Sequence, residues 1–148
     1  QHSLDWHLLE QPEHRALLDL NRDLNHLYLE NPVLHAGDTD PAGFAWIDLH
    51  NGDQSVFAFL RRSPLHPGRP PLLCVFNCTP VPREDYWLGV PATGTYRKVL
   101  DTDAARYGGS GFNQQERVVT QLAPCQGYPC HIRLDLPPLG ALFFELAD

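Results

Sequence analysis

Acidic side chains are the groups in this chain whose number and spacing could support catalysis. Two carboxylates held close together can serve as a nucleophile and an acid/base catalyst. The acids here instead follow turns and strand ends, where an Asp side chain usually hydrogen-bonds to its own backbone. They are Asp38, Asp40, Asp48, Asp53, Asp101 and Asp103. We therefore predict no catalytic residue in this chain.

The cysteines and a short glycine run give no metal or cofactor site. Cys74, Cys78, Cys125 and Cys130 lack the C-x-x-C spacing of zinc ligands and are too few for a disulfide scaffold. We expect reduced thiols, with a Cys125–Cys130 disulfide as the alternative. The G-G-S-G run at residues 108–111 has no Gly-Lys-Ser/Thr after it, so it does not predict a phosphate cradle. It is either a turn with positive φ or a loop that reaches a neighbouring domain.

Charge and hydropathy exclude two classes of partner. The 148 residues include 11 Lys and Arg against 18 Asp and Glu, a net charge of −7, without a basic stripe. Nucleic acid is therefore not expected as a partner. No run approaches the roughly 18 apolar residues of a membrane span, and no signal-peptide pattern is present. Because the chain begins at Gln1 and has no Met, we expect an excised piece of a longer protein.

One amphipathic helix is predicted near the N-terminus. Pro12 suits the first helical turn, and Asn31 before Pro32 ends the helix. Apolar residues recur between them at steps of three and four: Leu17, Leu20, Leu24, Leu27 and Tyr28. Such a stripe must bury against a partner, because isolated helices are marginal in water. The partner is either the region that follows or an upstream domain.

From Gly43 onward the apolar period changes from near 3.6 to 2, which indicates a domain boundary between residues 1–40 and 41–148. Frequent Pro and Gly turns separate eight runs that we predict as strands. The runs are Phe44–Leu49, Ser55–Arg61, Leu72–Asn77, Asp85–Val90, Thr95–Leu100, Arg117–Leu122, His131–Leu136 and Ala141–Leu146. This pattern predicts a mainly β chain, folded as an antiparallel β-sandwich after one helix.

Alternation along the strands indicates which side chains face the core. His131, Arg133 and Asp135 are predicted to face solvent, because they alternate with apolar residues. The run Leu72–Phe76 is apolar on both faces and is predicted to be a central strand covered on two sides. Trp46 is predicted to be a core residue.

Nine short motifs follow one another in a fixed order along the whole chain. They are S-L-D-W-H-L-L-E (3–10), R-D-L-N-x-L-Y (22–28), D-P-A-G-F-x-W-I (40–47), S-V-x-x-F-x-R-R (55–62), N-x-T-P-V-P-R (77–83), Y-x-x-G-V-P (86–91), G-x-Y-R-x-V-L-x-T-D (94–103), Y-G-G-S-G (107–111) and L-P-P-L (136–139). As a set they resemble the C-terminal part of bacterial 1,4-α-glucan (glycogen) branching enzymes, which belong to the α-amylase superfamily. Cys78 stands where that family has Phe, and therefore places a smaller apolar group there.

The resemblance implies that residues 1–40 are the tail and last helix of a catalytic (β/α)₈ barrel, and that residues 41–148 are the C-terminal all-β sandwich domain. The intact cytoplasmic enzyme would cleave an α-1,4-glucan through a covalent intermediate and transfer the chain to a 6-hydroxyl, without metal or nucleotide sugar. Its catalytic carboxylates would lie upstream of Gln1. This piece would pack on the barrel and stabilise it without being catalytic alone.

The resemblance also marks one segment as a candidate for contact with glucan. Asp5 and Trp6 lie in a motif that follows the eighth barrel strand in the family, and barrel active sites are built at that end of the strands. Rim contact with substrate is one interpretation. The alternative is that Trp6 packs against its neighbours.

Trp87 is the second candidate for contact with glucan. Tyr86, Leu88 and Val90 share the apolar face of their strand, which turns Trp87 outward. The apolar face of a pyranose ring stacks on a flat apolar partner, and Trp offers the largest. The family pattern does not require Trp there, and packing on a loop or on the barrel is the alternative. If Trp87 binds glucan, the chain is a carbohydrate-binding module; if it does not, the domain is a purely structural scaffold.

Overall fold

Helix α1 runs from Pro12 to Glu30 in the computed structural model, which describes residues 5–147. Ser3 and Leu4, at the start of the first motif, lie outside these residues. Pro12 and Glu13 lie in the first turn of the helix. Backbone N–H groups there have no partner within the helix, so the missing N–H of Pro costs nothing, and the acid interacts favourably with the helix dipole. The Asn31 N–H bonds to the Leu27 carbonyl and closes the helix. The predicted helix is therefore confirmed.

All eight predicted strands are present, with ends shifted by a few residues at most. They are β1 (Phe44–Asp48), β2 (Val56–Arg61), β3 (Leu72–Asn77), β4 (Arg83–Val90), β5 (Thr95–Asp101), β6 (Arg117–Val119), β7 (Cys130–Leu136) and β8 (Gly140–Leu146). Six strands form one sheet in the order β1-β2-β3-β8-β5-β6, and β4 pairs with β7 in a second sheet. The pairings are antiparallel.

The main core lies between these two sheets. Phe144 and Leu142 of β8 and Val75 of β3 point inward from the large sheet and are at most 1% exposed. Ile132 and Leu134 of β7 meet them from the small sheet and are fully buried. Apolar side chains at alternate positions thus fill the space between two layers, as sheet packing requires. The predicted sandwich is confirmed.

A second, smaller cluster covers the opposite face of the large sheet. Val33 is fully buried there, in the turn Pro32–Leu34 that follows α1, and it packs with Leu72 and Cys74 of β3. Strand β3 is therefore buried on both faces, as predicted for a central strand. The cover comes from the turn after the helix, because α1 itself has no buried residue.

The free edge of β7 is closed by two side-chain amides. The Gln115 side chain accepts from the Asp135 N–H at 2.8 Å and donates to the Arg133 carbonyl at 3.2 Å. The Asn113 amide donates to the Asp135 carbonyl at 2.8 Å. These groups take the hydrogen bonds that another strand would make, so the small sheet stops at two strands.

Two predictions about exposure are wrong. His131 is 1% exposed, because its imidazole stacks on the Trp87 ring and its Nδ1 is 2.9 Å from the Ala123 carbonyl oxygen. Trp46 is 46% exposed, because it lies on the outer face of β1, away from the core between the sheets. Period-2 alternation identifies the two faces of a strand but does not show what later covers each face.

Candidate functional site

Six aromatic rings form one continuous surface on the outer side of the large sheet, which we call the aromatic face. Neighbouring rings lie 4.7 to 6.1 Å apart, centre to centre, and belong to Phe44, Trp46, Phe57, Phe59, Phe76 and Phe143. The five Phe rings are partly buried, while Trp46 and the nearby Leu49 are 46% and 50% exposed. Exposed apolar patches are typical of interaction surfaces, and the turn Pro32–Leu34 already covers part of this one.

Helix α1 presents further uncovered apolar surface. Leu20, Leu24 and Leu27 of the predicted stripe are half-buried, but Leu17 and Tyr28 are 57% and 47% exposed. The helix touches the β region mainly at the turn Ala105–Tyr107. The face of α1 is thus only partly used by the residues described here.

The G-G-S-G run forms a turn built around the Asp103 carboxylate. Its oxygens accept from the Ser110 N–H at 2.9 Å, from the Ser110 hydroxyl and from the Phe112 N–H at 3.3 Å. Gly108 and Gly111 have φ values of 81° and 65°, which glycine adopts without strain. Because a protein carboxylate already occupies these donors, the turn has none left to cradle a phosphate.

This turn holds helix α1. The Tyr107 hydroxyl donates to the Asp23 carboxylate, and Arg106 forms an ion pair with the same carboxylate at 3.1 Å. Gly108 lies against Ala16 of the helix. Burial and the hydrogen bond to Asp23 raise the pKa of Tyr107 to about 12, so the hydroxyl stays a donor at physiological pH. The loop therefore has a partner, and that partner is α1.

Trp87 faces outward from the small sheet, as predicted, and is 44% exposed. Its ring stacks on His131 with centroids 4.4 Å apart and planes 9° apart, and the Arg133 guanidinium lies 4.8 Å from its centroid. Arg133 also pairs with Asp85 at 3.2 Å. A sugar that stacked on Trp87 would compete with these neighbours for the ring. Glucan contact at Trp87 stays a prediction.

Asp5 and Trp6 lie at the N-terminal end of the described residues. Trp6 begins the 3₁₀ turn Trp6–Glu10 and is 66% exposed. Asp5 precedes that turn without capping it through its side chain. Among residues 5–147, the aromatic and cation–π contacts of Trp87 are with His131 and Arg133, and none joins it to Trp6. Glucan contact at Asp5 and Trp6 also stays a prediction.

Sequence reasoning missed a polar network that joins the edges of the two sheets. The Tyr86 hydroxyl donates to Asp48 at 2.6 Å and accepts from the Asn51 amide at 2.8 Å. Gln126 donates to the same Asp48 carboxylate at 2.9 Å. Burial, and then the bond to Asp48, raises the pKa of Tyr86. The four residues lie 3 to 78 positions apart in sequence, so no local motif identifies them.

The cysteines are free thiols: Cys74 and Cys130 are buried, Cys125 is half-buried and Cys78 is exposed. Within residues 5–147, no group of three or more His, Cys, Asp and Glu side chains is placed to hold a metal ion. No helix in that range is long and apolar enough to cross a membrane.

Comparison with known proteins agrees with this architecture. Residues 46–147 match the family described as alpha amylase, C-terminal all-beta domain. The chain belongs to this family of C-terminal domains, and the eight strands in two sheets are its fold here.

Nearly the whole chain is also similar to 1,4-alpha-glucan branching enzymes named GlgB, which confirms the resemblance found in the motifs. Identity is 45% to the enzyme of Cereibacter sphaeroides, over 95% of this chain and 19% of that protein. It is 47% to the enzyme of Roseobacter denitrificans, over 99% and 20%, and 48% to that of Rubrobacter xylanophilus, over 96% and 19%. The chain thus spans about a fifth of the length of the curated relatives it matches.

Proposed function

We propose that this chain is the C-terminal part of a glycogen branching enzyme. The observation that carries the proposal is 45 to 48% identity to such enzymes over at least 95% of the chain. The longer protein would cleave an α-1,4-glucan, hold the chain as a covalent glycosyl-enzyme and transfer it to a 6-hydroxyl to make an α-1,6 branch. A retaining reaction of this type needs two carboxylates on either side of the scissile bond. We assign those carboxylates to a barrel upstream.

In this proposal the role of the domain is to pack on the barrel. Residues 1–40 would be the end of the barrel, with α1 as its last helix, and residues 41–148 the sandwich domain. Val33, just after α1, packs in the same cluster as Phe59, Phe76 and Phe143 of the aromatic face. A barrel that carries α1 would therefore lie over that face and cover it. Burial of large aromatic side chains is the strongest apolar contribution that such an interface can make.

We also propose, on the resemblance alone, that the longer protein is cytoplasmic and takes no cofactor from this domain. The polar groups of the loops are used by other protein groups, as at Asp103 and Asp48. The domain would contribute stability and orientation, while the chemistry and the main glucan contacts would belong to the barrel.

Activity measurements on the longer protein and on the 148-residue chain test whether the catalytic residues lie in the barrel. The longer protein encoded with these residues should lower the iodine staining of amylose and produce α-1,6 linkages. The 148-residue chain should leave amylose unchanged at the same molar concentration. Branching by the 148-residue chain alone would overturn the assignment of the chemistry to the barrel.

A matched pair of variants tests the aromatic face. We expect Trp46→Ser to lower the melting temperature of the longer protein, because the face would then bury less apolar surface. Leu122→Ser is the control: Leu122 is 84% exposed and follows Gln121, which pairs with β7 on the small-sheet side. Equal effects of the two variants would contradict docking through the aromatic face.

A carbohydrate-binding module is the second candidate function, favoured by the outward exposure of Trp87. In gels that contain glycogen, such a module would be retarded, and Trp87→Ala would abolish the retardation. Retardation that persists in Trp87→Ala removes the stacking mechanism. A chain that is not retarded at all is a purely structural domain.

A further inference from the structure

Asp101 is a buried carboxylate with few partners. It ends strand β5, is 5% exposed and accepts one side-chain hydrogen bond within the described residues, from the Asp103 N–H at 2.8 Å. Burial raises the pKa of its carboxyl, against the lowering effects of that bond and of the Lys98 charge. A buried carboxylate is costly unless a cation or several donors compensate it.

The cations near Asp101 are engaged elsewhere. Lys98 donates to the Asn113 side-chain oxygen at 3.1 Å and forms an ion pair with Glu116 at 2.9 Å. Arg106 forms its ion pair with Asp23 of α1. Asp103 and Glu116 add negative charge around Asp101. Among the residues of the described chain, Asp101 therefore has no ion-pair partner of its own.

Asp101 is one of the residues that line a cavity of about 340 Å³. One water occupies roughly 30 Å³ of liquid, so the cavity can accept a whole side chain. The residues that line it also include Lys98, Asn113, Ala105 and Arg106. Ala105 and Arg106 belong to the turn that contacts α1, so part of the cavity lining is close to the helix.

We propose that this cavity receives an Arg or Lys side chain from the barrel and that Asp101 binds it as an ion pair. The proposal rests on the proposed function, since the relatives extend far beyond this chain and α1 brings the rest of such a protein to this side. The Asp101 carboxylate is an anionic acceptor that receives one side-chain hydrogen bond within the described residues. A cation satisfies it with charge-assisted hydrogen bonds. A sugar hydroxyl could also donate to Asp101, but it would leave the negative charge without a counter-ion, and the Lys98 ammonium and Asn113 amide are already bonded.

The test is Asp101→Asn in two proteins. Asn has nearly the same shape and keeps an oxygen to accept from the Asp103 N–H, so only the charge is lost. In the longer protein, which the relatives indicate is about five times the length of this chain, we expect the melting temperature to fall by roughly 2 to 3 °C, because the inserted cation would lose its partner. In the 148-residue chain we expect no fall, because Asn keeps the acceptor for the Asp103 N–H and the substitution removes a buried charge that has no ion-pair partner in the described residues.

Asp103→Asn is the control, since the Asp103 carboxylate accepts from Ser110 and Phe112 of its own loop and the variant should destabilise both proteins alike. A fall of equal size in both proteins for Asp101→Asn, or no fall in the longer one, would overturn the proposal. If that variant of the longer protein does not fold, carboxyl NMR of the unsubstituted proteins decides. The pKa of Asp101 should lie above its usual value in the 148-residue chain and below it in the longer protein, and a raised value in both would refute the ion pair.

The proposed function can fail separately. A reading frame that encodes no barrel ahead of Gln1 would contradict the proposal that this chain is part of a branching enzyme. A barrel that is present, but whose stability is insensitive to Asp101→Asn, would remove only the ion pair. Loss of maltose binding by the 148-residue chain on the same substitution would replace the cation with a sugar as the occupant.

Discussion

Replacing Gly109 with Ala tests whether the turn around Asp103 is as closely packed as the structure indicates. A Cβ atom at Gly109 would lie 2.2 Å from the Asp103 carbonyl oxygen and 2.4 Å from its carbonyl carbon. Both are backbone atoms, so no side-chain rotation can relieve the clash. The loop must open by about 1 Å before contacts of normal length are restored.

The cost follows from the bonds that opening would break. The Gly111 N–H donates to the Asp103 carbonyl at 2.8 Å, and the Ser110 N–H donates to its carboxylate at 2.9 Å. A neutral hydrogen bond contributes about 1 kcal/mol and one to a charged group about 2 kcal/mol, so the loss is about 3 kcal/mol. For a chain of this size that corresponds to a fall in melting temperature of about 6 to 12 °C.

Thermal and urea unfolding, followed by circular dichroism, measure this difference. Gly68→Ala is the matched control, because a Cβ at Gly68 meets no atom within 4 Å. We expect the free energy of unfolding of the control to change by less than about 0.5 kcal/mol. A Gly109→Ala protein that melts within 2 °C of the control would refute the close packing of this turn.

Three further predictions concern the core, the polar network and pH. Phe144 is fully buried in the main core, so Phe144→Ala should lower the free energy of unfolding by about 3 to 5 kcal/mol in urea; a smaller loss would mean that the sheets close over the cavity. Tyr86→Phe removes the hydroxyl that bonds to Asp48 and should cost about 1 to 3 kcal/mol, whereas the exposed Tyr28→Phe should be neutral; equal effects would show that the network adds no stability. Burial raises the pKa of Tyr96 from 10 to about 12. Its contribution to stability should therefore be complete below pH 10 and be lost as the pH rises towards 12, by about 2 to 3 kcal/mol; Tyr96→Phe should flatten that part of the profile, and an unchanged slope would contradict the assignment.

Much of the fold could be predicted because its signals are local. The Pro and Gly turns mark the ends of the strands, and Pro12 and Pro32 bracket the helix, so each element is defined by its own residues. The order of strands in the sheets is a different matter. Strand β8 lies between β3 and β5, and nothing near Gly140 in the sequence specifies neighbours that are more than 35 residues away.

The candidate sites could be predicted less well from the sequence, because residues far apart in the chain form them. The outward direction of Trp87 follows from alternation, but its stacking on His131 depends on a second strand and on the loop that buries the imidazole. Asp is a residue type typical of turns, so the sequence does not predict that Asp101 is buried. Its burial results from the loop that folds next to it. Alternation assigns a side chain to a face of its own strand, whereas function depends on what the rest of the chain brings to that face.

The closed edge of β7 has a consequence for how this domain behaves outside a larger protein. Gln115 and Asn113 already occupy the backbone groups that a strand from another molecule would seek. A strand of a second copy therefore cannot hydrogen-bond to this edge of β7, even at the high concentrations of a cell that overproduces the domain. Replacing Gln115 with an apolar residue of similar size would free the Asp135 N–H and the Arg133 carbonyl. Another molecule could then pair with this edge, and the domain would be prone to aggregate.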